Sequence, residues 1–267
     1  MKHEEEVNYR KYDSRKDFVK KDFYETVVPI LTDSKEFPDN VIGTGFLMNY
    51  DNKTSYVVTA KHVLRGEQNP NIMFTSIAGT QLQIGTSVLE SFGVKWIHHP
   101  DVKDLSIIPL ILPKRIDEKI RNRRILRNSS ITPSSIKNGT PIKHVGYGGK
   151  NVGKNGKTGQ LLGLPGAAIG TFDFGTKDII KVRSPALEGD SGSPLFVNRG
   201  KGISIIGVIT RTKPLKTEDV NEIKVKGNTE AVPINHLDTI LNSKQMKNQV
   251  QKGLEKRNEI DNILKFI

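Results

Sequence analysis

The sequence predicts an all-β protein with helical additions at its two ends, and three observations carry that prediction. Apolar residues come in short runs rich in Val and Ile, each closed by Gly, Asn, Asp or Pro, as in the strands of a sandwich or barrel. No alternation of strand and helix patterns, which would build a doubly wound sheet, accompanies these runs. Apolar residues at three- and four-residue intervals, the helical period, are concentrated at the ends of the chain.

The strand candidates follow one another as TVVPIL (26–31), GTGFLMNY (43–50), SYVVTA (55–60), LSIIPL (105–110), PIKHVGY (141–147), AAIGTF (167–172), DIIKV (178–182), PLFV (194–197) and SIIGVIT (204–210). Residues 113–135 are polar and end in turn formers, so they read as a linker. That linker separates a first β unit, 25–112, from a second, 136–236. The extension 1–24 is charged and compatible with a helix. Segment 237–267 spaces Leu237, Ile240, Leu241, Ile260, Ile263 and Leu264 for one or two amphipathic helices packed on the β units, with Gly253 as a weak point.

Composition narrows the function. The 267 residues include 41 Lys+Arg against 29 Asp+Glu, a formal charge of +12, and no Cys. The lack of Cys excludes a thiol nucleophile, a disulfide scaffold and a Cys-ligated metal. No run approaches the roughly 18 apolar residues of a membrane span, and the first residues are charged where a signal peptide is apolar. The expectation is a cytoplasmic protein without membrane contact. The densest basic stretch holds Lys114, Arg115, Lys119, Arg121, Arg123, Arg124 and Arg127 against Asp117 and Glu118. It lacks the aromatic residues that accompany single-strand recognition. A solvated face, or docking to an acidic protein, is favoured over nucleic acid.

Three local patterns carry chemistry. SYVVTAKHVL leads a strand into His62; HPDVKDLSIIPL sets Asp104 directly before an apolar strand; ALEGDSGSPLFV puts Ser191 in a Gly-rich turn ahead of another. A serine nucleophile needs a base within hydrogen-bond reach and a carboxylate to hold that base in the right tautomer. His62, Asp104 and Ser191 supply the three types. Asp101 competes with Asp104, but Asp104 abuts the apolar strand. Gly189 and Gly192 flank the serine and free the backbone to aim N–H groups at one point.

The blocks TAKHVL, DLSIIPL and GDSGSPLF resemble the signature blocks of chymotrypsin/trypsin-like serine peptidases over roughly residues 25–240. The absence of Cys, GTGFL, the GSP after the dipeptide Asp190-Ser191, and AVPINHL resemble the bacterial branches, glutamyl endopeptidases and HtrA-type proteases. The resemblance implies two six-stranded antiparallel Greek-key β-barrels with the active site between them. It implies Ser191 as nucleophile, His62 as general base then acid, Asp104 as its orienting carboxylate, and the N–H groups of Gly189 and Ser191 as oxyanion hole. The activity implied is hydrolysis of a peptide bond in a protein or peptide substrate, without metal or cofactor, and limited cutting of a specific partner protein is favoured over bulk digestion. A catalytically silent binding module on this fold is the alternative, and a basic nucleic-acid-binding protein is the other.

The resemblance also places Pro185 where trypsins carry an acidic pocket residue, and Thr210, Arg211 and Thr212 on the pocket wall. Thr212 in place of Gly implies a narrow pocket for small or medium aliphatic side chains, whereas Arg211 would favour acidic ones. Asp190 corresponds to the residue that pairs with a freed N-terminus in secreted relatives. Either cutting near Lys20-Lys21 supplies that partner here, or an internal Lys or Arg does. The Gly- and Lys-rich stretch 146–160 fails the Walker spacing, since Asn151 stands where Gly is required, and is expected to form a surface loop beside the cleft. His98, His99 and Asp101 could ligate a metal, but adjacent strand residues point to opposite faces, so a surface or interface role is expected.

Overall fold

A computed structural model describes residues 21–33, 40–49, 54–75, 81–101, 103–120, 125–126, 133–148, 165–184, 186–198, 203–213 and 228–263. The first unit contains β1 (Val27–Leu31), β2 (Val41–Asn49), β3 (Ser55–Thr59), β4 (Asn71–Thr75), β5 (Gln81–Gly85), a short helix α1 (Thr86–Ser91), β6 (Ile97–His98) and β7 (Ser106–Leu110). Its strands pair in the order β5-β4-β1-β2-β3-β7-β6, and these pairings are antiparallel. Among the described residues this sheet forms a half-barrel, consistent with the double-barrel fold expected. α1 follows directly on β5, and β6 is only two residues long.

The stretch expected as a plain linker is structured. It holds α2 (Lys114–Ile120), whose Ile120 is buried against the first sheet, and β8 (Ile125–Leu126), which pairs with β2 in parallel. The second unit does close. β9 (Pro141–Gly146), β10 (Gly166–Gly175), β11 (Ile180–Arg183), β12 (Pro194–Asn198), β13 (Ile203–Lys213) and β14 (Asn228–Pro233) form a six-stranded barrel in the order β10-β11-β14-β13-β12-β9.

Each unit has its own apolar interior, and a third cluster lies between them. There Phe46, Met48 and Val58 of the first sheet meet Val145, Tyr147, Phe196 and Val208 of the second. Burial of this seam sets the two units against each other and fixes the cleft. The chain then runs through α3 (Leu237–Leu241) and α4 (Lys244–Ile263). Leu237 and Ile240 are buried in the seam, and α4 crosses back to the first unit. Gly253 is no weak point: a Cβ there would stand 2.6 Å from Ile111 Cδ1 and 3.0 Å from Val94 Cγ2. The missing side chain is what lets α4 approach, and this packing outweighs the helix propensity lost. The extension 1–20 lies outside the described residues; Lys21–Thr26 form a 3₁₀ turn.

Candidate active site

Register brings His62 and Asp104 together. β3 and β7 pair antiparallel with Thr59 opposite Ser106, so the end of one strand lies beside the start of the other. His62 follows β3 in a 3₁₀ turn, Lys61–Leu64, anchored by buried Val63 and Leu64. Asp104 precedes β7 and holds the histidine at two points. Its Oδ1 accepts the His62 backbone N–H at 2.8 Å, and its Oδ2 lies 2.6 Å from His62 Nδ1. This contact fixes the tautomer with the proton on Nδ1 and leaves Nε2 as the basic nitrogen. Burial alone pushes the Asp104 carboxyl up, but the His62 ring and backbone N–H, with a smaller attraction from Arg211, hold it below the ordinary carboxylate value. Asp101 is elsewhere, exposed and 4.0 Å from His99 Nδ1.

Ser191 sits on a turn that only glycines permit. Gly189 and Gly192 have φ of +93° and +90°, the left-handed region that L side chains rarely adopt. Gly192 N–H donates to Ile209 O at 2.7 Å, and Ile209 N–H returns a bond to Ser193 O at 2.9 Å, so the turn is fastened to β13. Asp190 and Ser193 N–H groups are used within the turn, donating to Leu187 O and Asp190 O. The N–H groups of Gly189 and Ser191 have no acceptor among the described residues. These are the two donors that the family resemblance assigns to an oxyanion.

The first unit grips the same turn through Thr44, a residue that the sequence did not single out. Its N–H donates to Ser191 O at 2.8 Å and its hydroxyl donates to Gly189 O at 2.6 Å. That hydroxyl also accepts the Tyr147 N–H at 3.0 Å, while Thr44 O accepts the Thr59 hydroxyl at 2.7 Å. One buried threonine thus ties the nucleophile turn to the strand that leads into His62. Next to it, Gly43 leaves room on both sides: a Cβ would lie 2.5 Å from Val63 Cγ1 and 3.2 Å from Ser191 O. The His62 turn and the Ser191 turn therefore meet across β2.

Residues 43–208 match the family model described as the trypsin-like peptidase domain. The chain belongs to that family. Among solved structures, the serine endoprotease from Yersinia pestis is similar to this trypsin-like peptidase domain at 17% sequence identity and a TM-score of 0.53, over 84% of this chain and 64% of that one. The trypsin-like chain thus spans under two thirds of the length of that protein, and the likeness is one of fold. No curated protein matches the chain.

The other residues singled out from sequence fall as follows. Thr210 is buried at a bulge of β13, between Ile209 and Arg211 in the pairing with β14, and Arg211 is exposed; bulges of this kind re-aim side chains beside active sites. Pro185 and the Thr212 side chain lie outside the described residues. His98 and His99 do face opposite ways. His98 Nδ1 lies 2.6 Å from Ser106 Oγ, whereas buried His99 packs edge-on against His236 with ring centroids 5.5 Å apart. Nearby, Lys103 pairs with Asp178 of the barrel at 2.7 Å, so the loop before Asp104 is pinned to the second unit. No group of three His, Cys, Asp or Glu positioned to hold a metal occurs among the described residues. Residues 149–160 of the Gly- and Lys-rich stretch lie outside them.

Asp190 requires a correction. The expected internal Lys or Arg does not face it among the described residues of the uncut chain; its partner there is His144 of β9, with Nε2 3.3 Å from Asp190 Oδ2. Burial tends to raise the Asp190 carboxyl, but His144 and the N–H groups of Leu187 and Gly148 together hold it below its ordinary value.

Proposed function

We propose that the protein is a serine endopeptidase that acts through an acyl-enzyme. The observation that carries this reading is the two-point hold of Asp104 on His62, across β2 from a turn whose Gly189 and Ser191 N–H groups have no acceptor among the described residues. Ser191 Oγ attacks the scissile carbonyl while His62 Nε2 takes its proton, and the two N–H groups receive the oxyanion. The tetrahedral intermediate collapses as His62 gives that proton to the leaving amine. Water, deprotonated by His62, then attacks the ester, and Ser191 recovers its proton as the acid leaves. Asp104 stays ionised throughout and stabilises the imidazolium. The similar Yersinia pestis protein, a serine endoprotease, supports the same chemistry.

Arg211 supports an acidic side chain beside the cut, because it is exposed on β13 and its charge reaches Asp104. A specific partner protein with acidic residues around its cleavage site is the corresponding substrate class. Treatment with a fluorophosphonate probe tests the central reading. The wild type takes the label and Ser191→Ala does not; an unlabelled wild type, or a labelled Ser191→Ala, overturns it. In a peptide library, cleavage mainly after Lys, Arg or large aromatic residues overturns the specificity assignment.

A further inference from the structure

The loop that carries Asp104 is held by the second unit as well as the first. Asp104 is the middle residue of a three-residue turn, closed by the Leu105 N–H on Lys103 O at 2.9 Å. The wider loop is closed at its base by the His99 N–H on Leu105 O at 2.9 Å, and the Asp101 N–H donates to His99 Nδ1 at 3.2 Å. Among the described residues, the Asp104 carboxylate accepts hydrogen bonds from His62 alone. No second side chain corrects its direction there, so its aim at the imidazole is decided by the backbone of this loop.

The second unit meets the loop at two points. Lys103 Nζ lies 2.7 Å from Asp178 Oδ1, and buried His99 packs edge-on against His236. Asp178 and His236 are themselves joined. In the turn between β10 and β11, Thr176 Oγ1 accepts the N–H groups of Asp178 and Ile179 at 3.1 and 3.2 Å, and the Thr176 N–H donates to Ile179 O at 2.9 Å. His236 Nε2–H donates to Lys177 O at 2.7 Å. The Asp178 carboxylate is exposed, yet its hydrogen bond from Lys103 holds it below its ordinary value, with the charges of Lys177 and His236 adding to the effect. The Lys103 side chain is only 20% exposed, so its stem is covered and the positions open to its ammonium are few.

We propose that Lys103 and Asp178 are positioning residues for the peptidase reaction: the β10–β11 turn of the second unit grips the residue before Asp104 and thereby aims that carboxylate at His62. The nucleophile turn belongs to the second unit and the base to the first. The docking that brings Ser191 to His62 therefore also orients the carboxylate that fixes the His62 tautomer. A chain whose two units part loses both at once. This rests on the serine-peptidase reading above.

The test uses the full chain as wild type, Lys103→Met, Asp178→Asn and the charge-reversed pair Lys103→Glu with Asp178→Lys. It reads the rate of fluorophosphonate labelling, the far-downfield proton resonance of the His62 Nδ1–H bound to Asp104, and the midpoint of urea unfolding. Each single variant labels about 100-fold more slowly, the scale of a misplacement of about 1 Å, and loses the resonance to exchange with water. Its unfolding midpoint stays near that of wild type, because a partly exposed ion pair adds little to stability. The reversed pair recovers the resonance and most of the rate. A wild-type rate and resonance in both single variants, no recovery in the reversed pair, or a loss of rate that merely tracks a lowered unfolding midpoint overturns the proposal alone. A wild type that takes no label overturns the peptidase reading and this role with it.

Discussion

Gly43→Ala perturbs the site from a residue that belongs to neither the triad nor the oxyanion hole. The new methyl would stand 2.5 and 2.6 Å from the two γ-carbons of Val63 and 3.2 Å from Ser191 O. Carbon–carbon contacts are optimal near 3.5–4.0 Å, so about 1 Å must be absorbed. Val63 is buried and β-branched, so rotation about χ1 does not clear both methyls. Overpacking of this size costs about 1–3 kcal/mol. The strain is released by moving the 3₁₀ turn that carries His62 or the carbonyl of Ser191, and a misplacement of about 1 Å costs on the order of 100-fold in rate. Val63→Ala alone removes two buried methyls, a loss of about 2 kcal/mol including the cavity. In the double variant the new methyl enters the space that Val63 vacates. The double variant is then about as stable as Val63→Ala alone, a coupling of about 1–3 kcal/mol, and labels within about 10-fold of wild type. Urea unfolding and fluorophosphonate labelling of the four proteins measure both quantities. Additive stabilities, or a wild-type labelling rate in Gly43→Ala, would show that the two turns are not coupled through β2.

Three further outcomes follow from the same geometry. Asp104→Asn keeps the shape of the site but loses the acceptor that fixes the His62 tautomer, and turnover on a peptide substrate falls by about 10⁴; a loss under tenfold would exclude Asp104 as the orienting residue. Thr44→Val strips partners from Gly189 O and Tyr147 N–H, costing about 1–3 kcal/mol in chemical unfolding, while Thr44→Ser retains most of that stability. His98 and His99 both have pKa values lowered from 6.5, chiefly by burial, with Lys61 and His236 adding to the effect respectively. A histidine held below its unfolded value takes up its proton on unfolding, so the stability it contributes is present above pH 6.5 and is lost as the pH falls from there through the folded value. Unfolding free energy therefore declines on acidification below pH 6.5, and His99→Gln flattens the decline; an unchanged slope would exclude the His99–His236 contact as its source.

The strands that the sequence disclosed have large inward residues. All nine Val- and Ile-rich runs coincide with observed strands to within a few residues. β4 (NIMFT), β5 (QLQIG) and β14 (NTEAVP) were not among them, β4 although its Ile72 and Phe74 are buried. β14 closes the barrel between β11 and β13 with Thr229 and Ala231 facing inward, and residues that small leave no apolar run to detect. α1 and the two-residue β6 were hidden for a related reason, since they are decided by local turns and not by periodicity. Gly253 shows the same limit from the other side. Sequence registers that a glycine weakens a helix, but only the approach of Ile111 and Val94 reveals that the helix is there because of it.

The site divides along that line. His62, Asp104 and Ser191 were legible because each is embedded in a local motif, and β3–β7 register does the rest. The partner of Asp190 was not, because charge alone directs the search to Lys or Arg, and β9 offers Lys143 immediately beside His144. Side chains alternate along a strand, so one of the two must face Asp190 and the other must face away. The choice is made by β12, which begins just after the nucleophile turn and sets Leu195 opposite His144. That register puts His144 and Gly146 on one face, with the imidazole against Asp190 and the glycine yielding space to the carboxylate, and sends Lys143 to Tyr24. A slip of one residue would exchange the two and place a lysine behind the serine. The partner that Asp190 takes is therefore chosen by strand register.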